Sequence, residues 1–336
     1  MKNASRRIRQ VLTNKWVLFL YPVLVTVLII SYMHCKYAQY YKVDNNVAKS
    51  NYARKSSIDH MTIESYLFVL IMTSPKGKTK RKAMRETWLN NKHENFHIEH
   101  RFIVGTKDLN TIVLKELQEE QNTNADLLFL TEHKDSYNAL TTKLLKSLLW
   151  VNKNVNTRFV MKVDDDTFVR LNVLVESLKK RDHLKRLYWG YFRGNSNVKR
   201  IGPWAEKNWF LSDHYLPYAL GGGYLISCDL VEYISRVSNM LQIYNSEDVS
   251  LGVWLAPVKL NRIHDIRFDT EYKSRGCSNE HIVSHKQAPE NMYEKFDNLK
   301  RNGKLCKKEK ETLYTFDYNW LVPPSQCCQR VKRSLL

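Results

Sequence analysis

Apolar runs alternate with helical stripes along the middle of this chain, and their order predicts a layered α/β domain. Residues 66–72 (YLFVLIM) form an unbroken apolar run closed by Ser74-Pro75, as expected of a strand buried on both faces. A basic stretch over 78–89 predicts a helix. Phe102 to Gly105 predicts a second strand, residues 111–120 a helix and Leu127 to Leu130 a third strand. Leu140, Leu144, Leu148 and Val151 recur at helical spacing, and Phe159 to Val163 make a fourth strand that stops at Asp164, Asp165 and Asp166. A helix over 171–180 follows, with Asp166 or Thr167 as its cap, and another spans 229–241 with Leu230, Ile234, Val237 and Leu241 on one side. Ser246 is placed to cap a further helix that opens with Glu247 and Asp248. Strands alternating with helices predict a doubly wound, largely parallel sheet. Ligands in such sheets bind beyond the carboxyl ends of the strands, where the three aspartates fall.

The N-terminal pattern is different. Residues 16–33 carry no charge over eighteen positions, near the lower limit for a membrane-crossing helix. A cleaved signal peptide is the competing reading, but no small-x-small site follows. Five Lys or Arg lie in residues 1–15 against Lys36 and Lys42 in 34–48, so the positive-inside rule puts the N-terminus in the cytosol. The expected organisation is a cytosolic tail over 1–15, a transmembrane signal-anchor over 16–33, a polar stem over 34–63 and a lumenal domain over 64–332. The chain would be a single-pass type II membrane protein.

The net charge of +19 invites a nucleic-acid reading. No zinc-finger spacing or RNP-like aromatic motif accompanies it, so no nucleic-acid partner is expected. A lumenal address permits disulfides. Of six cysteines, Cys35 sits at the membrane edge, and Cys228 continues an apolar run as a buried thiol. Cys277, Cys306, Cys327 and Cys328 are expected to form two disulfides whose pairing is open.

The aspartate run carries the first candidate chemistry. Alternate side chains of an extended segment share a face, so Asp164 and Asp166 can converge while Asp165 points away. Clustered carboxylates call for a cation, and oxygen ligands suit Mg²⁺ or Mn²⁺, ions that also hold phosphates. A solvated acidic turn is the alternative. Glu247 and Asp248 suit a helix's first turn on dipole grounds, or else supply a general base. The run Gly221-Gly222-Gly223 lets backbone approach a ligand or another strand closely, and no G-K-[ST] follows to make it a phosphate loop.

Taken together, these motifs resemble the β-1,3-galactosyltransferases, glycosyltransferase family 31. The residues that carry the resemblance are Arg81 to Trp88 (RKAMRETW), Phe102 to Gly105, Asp126-Leu127-Leu128, Asp135-Ser136-Tyr137 with Leu140 to Lys143, Lys162 to Val169, Gly221 to Tyr224, and Glu247-Asp248-Val249. They occur in the family's order across residues 65–330. Finer features, including Leu187 to Gly190, Glu271 to Asn279, Ser284 to Gln287 and Pro323 to Arg330, are similar to the branch that builds the glycosaminoglycan–protein linkage region.

The resemblance implies a GT-A-type fold, a doubly wound mixed sheet with a Rossmann-like nucleotide-binding half, behind the single N-terminal transmembrane helix. It also implies UDP-galactose as donor, Mn²⁺ as cofactor and a Golgi location. The expected reaction is inverting transfer of galactose in β-1,3 linkage to the galactose of Gal-β-1,4-Xyl-Ser on proteoglycan core proteins. Expected partners are xylosylated and galactosylated core proteins, the Golgi membrane and other linker-region glycosyltransferases.

Residue by residue, the resemblance implies Asp166 and Asp164 at the metal, with His285 as a further ligand and His264 as its rival. Arg81, Arg85, Asp135, Lys143, Asp165 and Gly222 would surround the UDP-sugar. Asp248 would be the base, and Glu247 would position it or the acceptor. Tyr188, Trp189 and Tyr191 are expected to stack on the acceptor's terminal galactose. Two alternatives stand beside this: transfer of galactose or N-acetylglucosamine to other glycoprotein or glycolipid acceptors, and a non-catalytic lumenal lectin or chaperone.

Overall fold

A computed structural model describes residues 22, 25–33, 62–90 and 96–332. The chain divides into two units, Met1–Met61 and Thr62–Leu336. In the first, residues 22 and 25–33 are helical. Among the described residues no helix is long and apolar enough to cross a membrane. The expected cytosolic tail, much of the 16–33 span and nearly all of the stem, with Cys35, lie outside the described residues.

The second unit is mixed α/β around a seven-stranded sheet of order β3-β2-β1-β4-β7-β6-β8. Its strands are β1 (Ile63–Met72), β2 (Ile98–Gly105), β3 (Leu127–Leu130), β4 (Val155–Asp164), β6 (Leu187–Arg193), β7 (Tyr218–Ser227) and β8 (Asn261–His264). Strand β1 runs parallel to both β2 and β4, and β2 runs parallel to β3. The last six residues of β1 are all buried, as layers on both faces of a parallel sheet require. Helices α1 (Lys78–Glu86), α2 (Thr111–Asn124) and α3 (Leu140–Asn154) make the crossovers. Asn110 starts α2 by accepting a hydrogen bond from the Val113 amide, and Ala125, in the left-handed region, ends it.

The chain winds outward from β1 through β2 to β3 and then returns to β1's other side as β4. That reversal puts the carboxyl ends of β1 and β4 together, with Met72 opposite Asp164, at the kind of switch point where such sheets bind ligands. Beyond β4 the sheet changes character. Strand β7 is antiparallel to both β4 and β6, whereas β8 is parallel to β6.

Shorter pieces finish the unit. Strands β5 (Phe168–Val169), β9 (Phe268–Asp269) and β11 (Val283–Ser284) form a small sheet of order β5-β11-β9. Strands β10 (Gly276–Cys277) and β12 (Lys310–Glu311) pair antiparallel. Helices α4 (Leu171–Lys179), α5 (Cys228–Val237), α6 (Glu247–Leu255) and α7 (Pro289–Asn302) complete it. Two disulfides form, Cys277–Cys306 and Cys327–Cys328. Cys228 stays outside both, half-buried at the head of α5 rather than fully buried as expected.

Three local expectations need correction. The helix expected over 229–241 stops at Val237 and gives way to a 3-10 turn, Ser238–Met240. Neither Asp166 nor Thr167 caps α4: Arg170 holds the cap position, and the Thr167 hydroxyl donates to the Gly222 carbonyl at 2.7 Å. Ser246 holds the cap position of α6, but its side chain makes no capping bond. Its backbone amide, with that of Asn245, donates instead to the buried Glu206 carboxylate.

Candidate active site

The site opens where β4 ends. Strand β4 ends at Asp164, and Asp165 and Asp166 lie in a turn closed by the Thr167 amide on the Asp164 carbonyl at 3.2 Å, which turns Asp164 and Asp166 to His285 and Asp165 away from it. Asp165 accepts from the Thr73 hydroxyl at 2.8 Å and from Lys80 at 2.7 Å, which ties β4 to the loop after β1. Asp164 and Asp166 meet His285, and one donor atom from each lies within 4.8 Å of the others.

The small sheet delivers His285. Ser284 of β11 pairs with Phe168 of β5, the His285 amide donates to the Asp269 carbonyl, and the Gln287 amide donates to that of Asp166. Gly222 makes room for the imidazole, since a Cβ there would lie 2.5 Å from the ring. Gly222 therefore serves close packing of β7 against His285.

The trio fits a divalent metal. Asp166 Oδ1 and His285 Nε2 lie 3.0 Å apart, yet both are buried without a hydrogen-bond partner. Two carboxylates and one imidazole form a donor set suited to Mn²⁺. Burial opposes charge on Asp164 and Asp166, but Lys162 and His285 hold Asp164, and His285 holds Asp166, below the usual carboxylate range. Burial also works against the imidazolium of His285, but the two aspartates push its pKa up to about 9. His264, the rival ligand, has both ring nitrogens engaged: Nδ1 accepts from the Phe192 amide at 3.0 Å and Nε2 lies 2.9 Å from the Phe316 carbonyl. Burial pulls its pKa down to about 4.

Across the sheet, α6 presents Glu247 and Asp248 beside β7. Asp248 accepts from the Gly221 amide at 2.9 Å and from the Val249 amide at 2.8 Å. Burial raises its pKa even so. Glu247 ion-pairs with Lys162, and Tyr224 Oη lies 3.5 Å from its other oxygen. Burial outweighs Lys162 and raises Glu247 to about 8. Lys162 Nζ also donates to Asp164 at 2.8 Å and to the Gly221 carbonyl at 2.6 Å. One buried ammonium thus joins the metal trio to the carboxylate pair.

The expected ring of UDP-binding side chains is built differently. Arg81 is fully buried, with Nε 2.8 Å and Nη2 2.6 Å from the two oxygens of Glu120. Arg85 bridges Glu120 and Asp126. Helix α1 does present both guanidiniums on one face, but there they are committed to Glu120 of α2 and to Asp126 just before β3 rather than to a diphosphate. Lys143, also buried, donates to Asp135 at 2.6 Å, and Asp135 accepts from the Gly105 amide at 2.9 Å. Those two residues brace the ends of β1 and β2 behind the site.

The acceptor assignment is overturned. Tyr188, Trp189 and Tyr191 are 1%, 0% and 0% exposed. Residues 187–192 of β6 are all buried, so both faces of the strand are covered and neither presents a ring to solvent. Trp189 Nε1 donates to Asp265 at 3.0 Å, and Tyr188 Oη accepts from the Ala219 amide. Rings held this way cannot stack on a sugar.

Several partners escaped the sequence reading, among them Glu120, Glu206, Lys80 and the linking role of Lys162. A signal for Lys162 was available, because it stands two residues before Asp164 in a strand and so shares its face. No comparable local signal marks Glu120 or Glu206, whose partners lie 39 and 40 residues away.

Known proteins bear on what such a site does. A family model described as galactosyltransferase matches residues 79–266. The mouse protein named β-1,3-galactosyltransferase 6 is 46% identical over 271 residues, covering 80% of this chain and 83% of its own. A Xenopus laevis protein named UDP-GalNAc:β-1,3-N-acetylgalactosaminyltransferase 2 is 34% identical over 191 residues, 56% of this chain and 38% of that one. Among solved structures, the bifunctional glycosyltransferase WbbM aligns over 61% of this chain and 39% of its own at 13% identity and a TM-score of 0.36.

Proposed function

This chain belongs to the galactosyltransferase family and is a β-1,3-galactosyltransferase, and from that premise we propose that it moves galactose from UDP-galactose to the galactose of Gal-β-1,4-Xyl-Ser. Its setting would be the Golgi lumen, its partners xylosylated and galactosylated proteoglycan core proteins, with other linker-region glycosyltransferases beside it. The charge-free stretch over 16–33 and the two disulfides support a membrane-anchored, lumenal reading. The single observation that carries the chemistry is the Glu247–Asp248 pair set beside the Asp164–Asp166–His285 trio, with Lys162 in contact with Glu247 and Asp164.

Asp164, Asp166 and His285 would hold Mn²⁺, which when bound supplies positive charge against the diphosphate leaving group. Asp248 takes the proton from the acceptor's 3-hydroxyl as that oxygen attacks the anomeric carbon. The bond from that carbon to the diphosphate oxygen breaks, UDP departs with the electron pair, and the configuration inverts. Two backbone amides fix the Asp248 carboxylate without using all its lone pairs. Burial raises its basicity, which offsets the weakening effect of a helix N-terminus. Lys162 keeps Glu247 and Asp164 from repelling the developing charge.

The test crosses UDP-galactose, UDP-N-acetylglucosamine and UDP-N-acetylgalactosamine with galactosyl-xyloside, lactose-type and N-acetylglucosamine acceptors, with product linkage read by NMR. A β-1,3 product from UDP-galactose and galactosyl-xyloside alone is expected. Preference for an N-acetylglucosamine acceptor contradicts the acceptor assignment. Turnover of a different donor contradicts the donor.

A further inference from the structure

With Tyr188, Trp189 and Tyr191 in the core, a different set of rings borders the site. Tyr137, Trp204 and Tyr272 come from three separate loops and are 47%, 39% and 70% exposed. They touch in series, Tyr137 to Trp204 at 6.1 Å between centroids and Trp204 to Tyr272 at 5.7 Å, both edge-to-face. At one end, Lys286 Nζ lies 5.8 Å from the Tyr272 ring centre and 3.9 Å from Asp166 Oδ2. The Tyr272 end of the row therefore stands beside the metal trio.

Trp204 is held in place by its neighbours. The Ala205 amide closes a turn on the Gly202 carbonyl at 3.1 Å. Asn245 Nδ2 donates to the Pro203 carbonyl at 2.6 Å. The Glu206 carboxylate accepts from the amides of Asn245 and Ser246, each at 2.8 Å. Residues on both sides of Trp204 are thus bonded to the segment just before Glu247 and Asp248, which ties the backbone that carries the indole to that segment. A cavity of about 420 Å³ is bounded by the chain neighbours of Trp204, Pro203 and Ala205, with Asn138, Gly202 and Asn245, while Trp204 itself does not line it. That volume lies in the usual range for small-ligand sites.

We propose that Tyr137, Trp204 and Tyr272 form the acceptor wall, with the terminal galactose lying on the Trp204 indole and its 3-hydroxyl turned toward Asp248. This rests on the reaction proposed above and names where its acceptor sits. The axial 4-hydroxyl of galactose leaves the C–H bonds of C3, C4 and C5 together on one face, and that face suits an indole. The xylose and its peptide extend into the cavity bounded by Pro203 and Asn245. The flanking tyrosines keep water off the sugar's edges.

Steady-state kinetics on Trp204→Ala and Trp204→Phe test this. Trp204→Ala should raise the acceptor KM about five- to tenfold, the scale of one lost ring contact, and Trp204→Phe should recover most of it. The KM for UDP-galactose and metal-dependent UDP-galactose hydrolysis should stay unchanged. An unchanged acceptor KM overturns the wall, and so does a raised UDP-galactose KM, which would put the donor there. Quenching of indole fluorescence by galactosyl-xyloside with Mn²⁺ and UDP present, lost in Trp204→Phe, gives a readout independent of turnover; no difference between variant and wild type overturns the wall. Transfer by the wild type to another acceptor refutes the proposed acceptor alone, and the same Trp204→Ala comparison on that acceptor then decides the wall.

Discussion

Asp166 Oδ1 and His285 Nε2 face each other at 3.0 Å, both buried and neither hydrogen-bonded. The protonated imidazole answers the carboxylate as an ion pair, and once it loses its proton both atoms are left to find another partner. A divalent metal held by Asp164, Asp166 and His285 would satisfy both. Asp166→Ala should abolish Mn²⁺-dependent UDP binding in calorimetry, and chelation should do the same to the wild type. Unchanged affinity in either case would show that the trio is not the metal site.

Lys162 is the only cation in contact with both Asp164 and Glu247 among the described residues. Lys162→Met leaves the buried Glu247 and the half-buried Asp164 without their shared cation, and since Asp164 is partly solvated the loss should fall below the roughly 3–5 kcal/mol of a fully buried broken pair. The urea midpoint should fall accordingly. A midpoint equal to wild type would mean that the carboxylates are protonated or already solvated.

Arg81 and Arg85 should act on stability before they act on substrate. Burial opposes charge on Glu120 and Asp126, but the guanidiniums hold Glu120, and Arg85 with His100 holds Asp126, below their ordinary range. A depressed carboxylate contributes stability above its unfolded pKa of about 4 and loses it as pH falls through the folded value. Arg81→Met should therefore lower stability at pH 7 by about 3–5 kcal/mol, with a smaller deficit at pH 3. Urea titrations at the two pH values check this. A raised KM for UDP-galactose with unchanged stability would restore these arginines to the nucleotide.

The two disulfides should differ in weight. Cys277–Cys306 joins residues 29 apart, whereas Cys327–Cys328 joins neighbours. Closing the longer loop removes more freedom from the unfolded chain, worth about 3–4 kcal/mol. Replacing Cys277 and Cys306 by serine should lower the midpoint far more than replacing Cys327 and Cys328. Non-reducing peptide mapping that finds Cys228 bridged would contradict the pairing itself.

How far the sequence disclosed this site depended on the range of each interaction. A turn after Asp164, not the expected strand alternation, separates Asp165 from Asp166, but that the aspartates close a buried strand is a local property and could be read directly. The same holds for the acids opening α6. Arg81 and Arg85 were correctly placed on one helix face, but what that face meets is decided by Glu120 and Asp126, distant in sequence. The aromatics of β6 misled because composition records which residues are rings and not which face is covered. Tyr137, Trp204 and Tyr272 lie 67 and 68 positions apart in turn, and only the folded chain brings them into a row.

The central claim is that Asp248 removes the acceptor's proton while the Asp164–Asp166–His285 side holds the donor. One comparison tests it most directly: UDP binding and turnover measured together on Asp248→Asn. Mn²⁺-dependent UDP affinity should equal wild type, with turnover reduced about 10²–10⁴-fold, the loss typical of a deleted general base. Near-normal turnover in Asp248→Asn, with Glu247→Gln inactive, would contradict it and transfer the role to Glu247.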